Sequence, residues 1–298
     1  MLINDFIDYL EFERKYSLNT VLAYKKDLLS FEGFLEVHCP DVQLNEVKYK
    51  EIRAWIVSMV NKTISNRSIN RKVASLKAYY KFLQRIEYRE DSPLIHHRPL
   101  KIESKVQVPF SQNEMKLVLN RFVELNNFVE TRNLLIIGLL YGTGMRRAEL
   151  IDLEMDSIDI NSKKIYIVGK GNKERQLPLL PWCVDLIKDY LRLREDIPNV
   201  EIVSRLLITE KAKPIYPNLV YKVVHNAFTQ QVTGKQVRSP HIIRHTFATH
   251  LLDEGADLMS VKELLGHSSL ASTQVYVHNS MAKLKRIYSQ THPRIKKT

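Results

Sequence analysis

The chain of 298 residues is 44% hydrophobic and 9% aromatic, enough apolar material for one large domain or two ordinary ones, which excludes disorder as its dominant state. Lys and Arg number 45 against 33 Asp and Glu, a formal charge of +12, and that excess calls for a polyanionic partner, nucleic acid first and an anionic membrane surface second. Two cysteines, Cys39 and Cys183, stand far apart and outside any C-x-x-C spacing, so neither a disulfide framework nor a structural zinc site is written here, and a reducing, intracellular location fits.

Residues 1–10 carry Asp5 and Asp8 and no basic segment ahead of an apolar run, which argues against a secretory signal. Ser17 is placed to cap a helix whose apolar positions recur through Val21, Leu22, Tyr24, Leu28, Phe31, Phe34 and Leu35, and Glu51 to Val60 is a second amphipathic stretch. Residues 1–60 are slightly acidic, whereas residues 61–89 set Lys62, Arg67, Arg71, Lys72, Lys77, Lys81, Arg85 and Arg89 against Glu87 alone. Ile69, Val73, Leu76, Tyr80, Phe82 and Leu83 recur there at helical spacing, which predicts a helix with an apolar face inward and a basic face outward. Such a face is either solvated or a polyanion grip. It lacks the Trp, Leu and Phe character of a membrane anchor, so a membrane partner is not expected.

The pattern breaks at Asp91 to Pro109, where Pro93, Pro99, Pro109 and the pair His96-His97 read as an extended connector. Helical patterning resumes at Ser111 with Glu114 completing a capping box. Leu134 to Leu140 is apolar nearly all round and predicts a central buried helix, and the longest apolar stretch, Leu134 to Tyr141, is too short to span a bilayer, where about 20 apolar residues are needed. Lys164 to Val168 and Arg175 to Leu179 flank Gly169-Lys170-Gly171-Asn172-Lys173 and predict a β-hairpin. Mostly helical patterning follows, closed by a basic run, Lys283, Lys285, Arg286, Arg294, Lys296 and Lys297. The expected architecture is therefore mainly α with a small β-hairpin or sheet, divided into a helical domain at 1–90, a linker at 91–108 and a second domain at 109–298.

Four segments can carry chemistry. In Tyr141-Gly-Thr-Gly-Met-Arg-Arg-Ala-Glu-Leu150, Gly142 and Gly144 are expected to end the buried helix and to place Arg146 at a tight turn against the core, where an anion or a salt bridge to Glu149 must compensate it. At the hairpin tip, Lys170 stands between two glycines that let a backbone approach a phosphate; a solvated turn lysine is the alternative, and neither a P-loop nor a dinucleotide fingerprint is present. In Ser239-Pro240-His241-Ile-Ile-Arg244-His245, Ser239 as cap and Pro240 at the first helical position put His241 in the first turn with Arg244 on the same face, so that backbone N–H groups, the helix dipole and a guanidinium converge on an anion. A metal held by His241, His245 and His250 is the rival, weakened because position 242 is Ile rather than Glu and no acidic ligand lies close by. In the fourth, Leu264-Leu-Gly-His267 through Tyr276, Gly266 ends a helix and Tyr276 follows nine residues after His267. A lone tyrosine there would pack; beside two arginines, a lysine and two histidines its phenol is a candidate nucleophile toward a phosphodiester.

Thr-Gly-Met-Arg146-x-x-Glu-Leu, Lys170 in the hairpin, His241-x-x-Arg244, Leu-Gly-His267 and Tyr276 resemble, in order and spacing, the catalytic set of the tyrosine site-specific recombinases of the phage integrase family. The stretches Arg244-His-Thr-Phe-Ala-Thr-His-Leu-Leu, Gly255-Ala-Asp and Glu263-Leu-Leu-Gly-His-Ser-Ser, with Ala23-Tyr-Lys-Lys-Asp-Leu and Ser68-Ile-Asn-Arg-Lys-Val-Ala-Ser-Leu-Lys in the first domain, look like the bacterial XerC/XerD branch and carry the resemblance over essentially the full length. Arg147, where that family commonly has an aliphatic residue, and Ala271-Ser272 ahead of Thr273 are small departures.

The resemblance implies a two-domain DNA clamp, a helical SAM-like core-binding domain followed by a catalytic domain. Tyr276 would form a 3′-phosphotyrosyl link, Arg146 and Arg244 would grip the non-bridging oxygens, Lys170 would protonate the leaving 5′-oxygen, His241 would accept the tyrosine proton and His267 would donate a hydrogen bond to the phosphate. No cofactor, ATP or metal is implied. The implied partners are double-stranded DNA with paired recombination sites, a homo- or hetero-tetramer with a related recombinase on two sites docked through the segment Ala282 to Tyr288, and a DNA translocase, in the cytoplasm. Lys62, Arg67, Arg71, Lys72 and Lys77 are the candidate DNA-gripping cations. Chromosome-dimer resolution is the leading role, mobile-element integration or DNA inversion the alternatives. A type IB topoisomerase and a noncatalytic DNA-binding protein stand further off.

Overall fold

The computed structural model describes residues 2–102, 108–120, 127–168, 174–229 and 238–266. Two compact units divide the chain, residues 1–105 and 106–298.

The first unit is helical: α1 (Leu2–Asp8), a π-turn at Tyr9–Glu13, α2 (Leu18–His38), α3 (Tyr49–Asn61) and α4 (Asn66–Arg85). Ser17 sits in extended geometry ahead of α2, its hydroxyl paired with Thr20 Oγ1 at 2.8 Å, and Ser65 caps α4 by accepting from the Ser68 N–H. Spacing of three and four along α2 and α4 sets Val21, Leu28, Phe31 and Leu35 against Ile69, Val73, Leu76, Tyr80 and Leu83, all buried in one core with Phe6 and Trp55. Each fully buried Leu, Ile or Phe contributes about 1.5–3 kcal/mol over its exposed state, so this unit has a core of its own. Residues expected to form the linker lie partly on it. Leu94 is buried in the core, and the Asn70 side chain pairs with both backbone groups of Leu100 at 2.8 and 2.9 Å.

The second unit follows the predicted order. It comprises α5 (Gln112–Asn120), α6 (Phe128–Thr143), α7 (Arg147–Ile151), β1 (Ile158–Asp159), β2 (Lys164–Val168), β3 (Glu174–Pro178), α8 (Pro181–Arg194), α9 (Pro217–Thr229), α10 (Pro240–Asp253) and α11 (Leu258–Leu265). The Ser111–Glu114 capping box forms, at 2.6 and 3.2 Å. Every residue from Leu134 to Thr143 on α6 is buried, with α8, α9 and α10 packed around it. Asn127 caps α6 at its start, accepting from the N–H groups of Val129 and Glu130. The hairpin is present as an antiparallel pair in which Ile167 lies opposite Arg175, and the two-residue β1, too short to leave a periodic signal, adds a third strand beside β2.

Only one of the two glycines expected to end α6 does so. Gly144 takes φ +66° and turns the chain, and a methyl group there would collide with the Phe247 ring. Gly142 lies inside the helix. A Cβ there would come within 2.7 Å of Cys183 Sγ, so this glycine serves the close packing of α8 on α6 rather than a turn. Among the described residues no helix is long and apolar enough to cross a membrane.

Candidate active site

Three arginines distant in sequence meet at the C-terminal end of α11. Arg146 leaves the Gly144 turn just ahead of α7, Arg175 comes from β3 and Arg244 from α10. Leu264, Leu265 and Gly266, the last carbonyls of α11, each accept from one of them: Leu264 from Arg175 Nε at 3.3 Å, Leu265 from Arg244 Nη2 at 2.7 Å and Gly266 from Arg146 Nη2 at 2.8 Å. These carbonyls lack helical partners, and the negative end of the helix dipole favours cations there. Gly266 takes φ +63°, so the helix stops and the chain continues toward His267 directly from the arginine group.

Glu149, nearly buried, ties two of the three together. Its carboxylate accepts from the Arg146 N–H at 2.7 Å and from Arg146 Nη1 at 2.8 Å, and bidentately from Arg175 at 2.9 and 2.7 Å. Burial alone would raise its pKa. The hydrogen bonds from Arg175 and Arg146 outweigh burial and hold it below the ordinary carboxylate range. The Arg146–Glu149 salt bridge anticipated as the alternative to an anion site therefore exists, yet it does not neutralise the group, because three guanidinium cations face one carboxylate.

Arg244 carries the surplus most acutely. It is 8% exposed, and among the described residues its hydrogen bonds go to carbonyls, Gly144 O and Leu265 O, both at 2.7 Å. Burial, then the neighbouring charge of Arg146, lowers its pKa to about 10, so it stays protonated at neutral pH against a desolvation penalty that an arriving anion would relieve. Ile242, Ile243 and Phe247 anchor α10 in the core and fix where this side chain projects. Such a fixed pair of planar forks suits phosphate, whose oxygens accept two parallel N–H bonds from each.

His241 sits in the first turn of α10, behind Ser239 and Pro240 as expected, but it is exposed while Arg244 is buried, so the two do not share one burial face of the helix. Of the other histidines in the rival metal set, His245 is exposed, and His250 is buried with its Nδ1 at 3.0 Å from the Tyr141 hydroxyl. Lys170, His267, Tyr276 and the segment Ala282 to Tyr288 lie outside the described residues.

No local motif marks Arg175 as a site residue. Its signal was nonetheless in the strand: alternation places it on the same face as buried Leu177, so a cation there needs a partner inside.

On the first unit, Lys62, Arg67, Arg71 and Lys77 are exposed on or beside α4. Two of the expected gripping cations are already engaged: Arg71 binds Asp27 bidentately at 2.6 and 2.9 Å, and Lys72 reaches the same carboxylate at 3.3 Å. Asp27 is 1% exposed and also accepts from Ser75 Oγ at 2.7 Å. Lys72, at 17% exposure and stacked near the Trp55 ring, is a packing residue more than a surface cation, whereas Arg71 remains half exposed.

The sequence matches the Phage integrase family profile over residues 110–283 and the profile described as Phage integrase, N-terminal SAM-like domain, over residues 3–87. It is 35% identical over 292 residues to the tyrosine recombinase XerC of Staphylococcus carnosus, covering 98% of this chain and 97% of the relative. It is 34% identical over 295 residues to XerC of Listeria monocytogenes, covering 98% of each. Among solved structures the fold is similar to the Tn1549 transposon integrase in complex with circular intermediate DNA (TM-score 0.71, 17% identity, 99% and 97% of the two chains) and to XerH bound to palindromic difH substrate (TM-score 0.69, 23% identity, 93% and 81%). Full-length relatives at this identity, the two profiles in order and the shared fold agree with the arginine group: the chain belongs to the phage integrase family, the tyrosine recombinases.

Proposed function

We propose that the protein is an Xer-like site-specific tyrosine recombinase that cuts and rejoins double-stranded DNA. The observation that carries this reading is the group of three arginines held to the end of α11, whose unmet positive charge sits at the start of the segment leading through His267 to Tyr276.

In the reaction, the Tyr276 phenol loses its proton to His241 and attacks the scissile phosphorus. A phosphotyrosyl bond to the DNA 3′ end forms, and the bond to the 5′-oxygen breaks as Lys170 protonates that oxygen. Arg146 and Arg244 take the non-bridging oxygens, where fixed donors stabilise charge on the pentacoordinate phosphorus. His267 adds a hydrogen bond to the same phosphate. A second 5′-hydroxyl then attacks the phosphotyrosine and releases the enzyme, so one ester is exchanged for another and no nucleotide is consumed.

Lys62, Arg67, Arg71 and Lys77 contact the DNA backbone from the helical unit. The working assembly is a tetramer on two sites, formed with itself or with a related recombinase and exchanging the segment 282–288 between neighbours. The role proposed for it is chromosome-dimer resolution in the cytoplasm, with a DNA translocase as a partner. Similarity to a transposon integrase is the observation that keeps mobile-element transfer as a second reading.

Incubation of the protein with nicked site duplex, followed by denaturing electrophoresis, tests the proposal. The wild type gives a covalent protein–DNA band that Tyr276→Phe abolishes. A band retained in Tyr276→Phe, or none in the wild type, overturns it.

A further inference from the structure

We infer that Arg175 is a positioning residue for strand cleavage, holding Glu149, the Arg146 guanidinium and the end of α11 in the register that phosphate binding needs. The inference rests on the recombinase reading above and adds to it a residue that does not touch the DNA.

Among the described residues, Arg175 is the member of the arginine group with a hydrogen bond from each of its three guanidinium nitrogens to the protein. Nη1 and Nη2 clasp the two oxygens of Glu149, Nε donates to the Leu264 carbonyl, and its side chain is 15% exposed. The backbone at Gly266 packs flat against it: a Cβ there would lie 3.1–3.2 Å from Arg175 Nη1, Cζ and Nε. Its single side chain therefore joins three pieces of the chain that are far apart in sequence, β3, α7 and the end of α11.

Two consequences follow. Electrostatically, Glu149 is shared. Without Arg175 the carboxylate would have the Arg146 side chain as its only side-chain cation among the described residues, and that guanidinium would be spent on Glu149 rather than on an arriving phosphate. Geometrically, the α11 carbonyls orient Arg146 and Arg244, so a shift of the helix end moves both forks together. Displacements on the order of 1 Å reduce rates by about 100-fold. Lysine cannot substitute, because a single ammonium cannot clasp two carboxylate oxygens and hold a carbonyl in one plane.

Adduct formation under single-turnover conditions on the nicked site duplex, with duplex affinity and circular dichroism measured in parallel, tests this. Arg175→Gln and Arg175→Lys are expected to bind the duplex within about threefold of wild type and to cleave about 100-fold more slowly. Replacing the leaving 5′-oxygen by sulfur removes the need for a proton there, and the deficit is expected to persist on that duplex because the fault lies in the phosphate grip. Wild-type cleavage rates, recovery on the sulfur duplex, or a loss of affinity and helix content matching the loss of rate would each overturn the inference. Where Arg175→Gln does not fold, Glu149→Gln/Arg175→Gln removes the carboxylate together with its clasping cation and carries the same comparison: slow cleavage supports the inference and wild-type cleavage overturns it. Wild type without adduct would instead refute the recombinase reading, so the two failures are told apart.

Discussion

Arg244 is buried, charged and bonded to two carbonyls that cannot neutralise it, an arrangement that destabilises the empty site and becomes favourable when a phosphate arrives. The residue is thus chosen for charge and for shape. Lysine in its place would keep the charge but could not serve Gly144 O, Leu265 O and a phosphate together. Arg244→Lys is expected to fold and to retain duplex binding while adduct formation falls about 100- to 1,000-fold, as when a fixed donor is removed from a transition-state site. Unchanged cleavage would show that charge alone suffices. At this scale the sequence was legible where residues lie in local motifs: Arg146 with Glu149 three positions on, and His241 and Arg244 behind a Ser-Pro helix start. It was not legible for partners brought in by tertiary folding. Arg175 is 26 positions from Glu149 and 89 from Leu264, and Asp27 is 44 from Arg71, so neither the second clasp on Glu149 nor the loss of Lys72 from the basic face could be read from spacing.

The elements were mostly written in hydrophobic period. α4 and α6 follow it closely, and the hairpin follows from β-branched strands around a Gly-rich turn. Where prediction and structure part, space decided. Gly142, expected with Gly144 to end the helix, instead admits Cys183, a contact from another helix that local pattern does not disclose. Gly144 is the true terminator and also presents the carbonyl that holds Arg244. Gly144→Ala must therefore hold a left-handed conformation, costing about 1–2 kcal/mol, and also displace the Phe247 ring. We expect denaturant unfolding to show a loss of at least ~2 kcal/mol and adduct formation to drop with it, since α10 carries both Phe247 and Arg244. Full stability in that variant would contradict this account of the turn.

At the scale of the whole molecule the charge of +12 divides by task. Part of it is internal: Arg71 and Lys72 neutralise Asp27, and Arg175 and Arg146 neutralise Glu149. The exposed remainder on and beside α4, Lys62, Arg67 and Lys77 with half-exposed Arg71, is proposed to grip a DNA backbone, and duplex binding through it is expected to fall steeply with salt. The surplus around Arg244 is proposed for a single phosphate. The break in pattern near residue 91 predicts a linker there, but Leu94 and Leu100 show that proline-rich composition does not by itself separate a linker from a segment bound to the helices before it. The proposed cleavage turns on one atom, the Tyr276 oxygen. Nuclease trimming of the covalent adduct, followed by mass spectrometry of its peptides, locates the bond: a nucleotide joined through its 3′-phosphate to the peptide that contains Tyr276 is expected, and a nucleotide on any other residue, or joined through a 5′-phosphate, would rule the mechanism out.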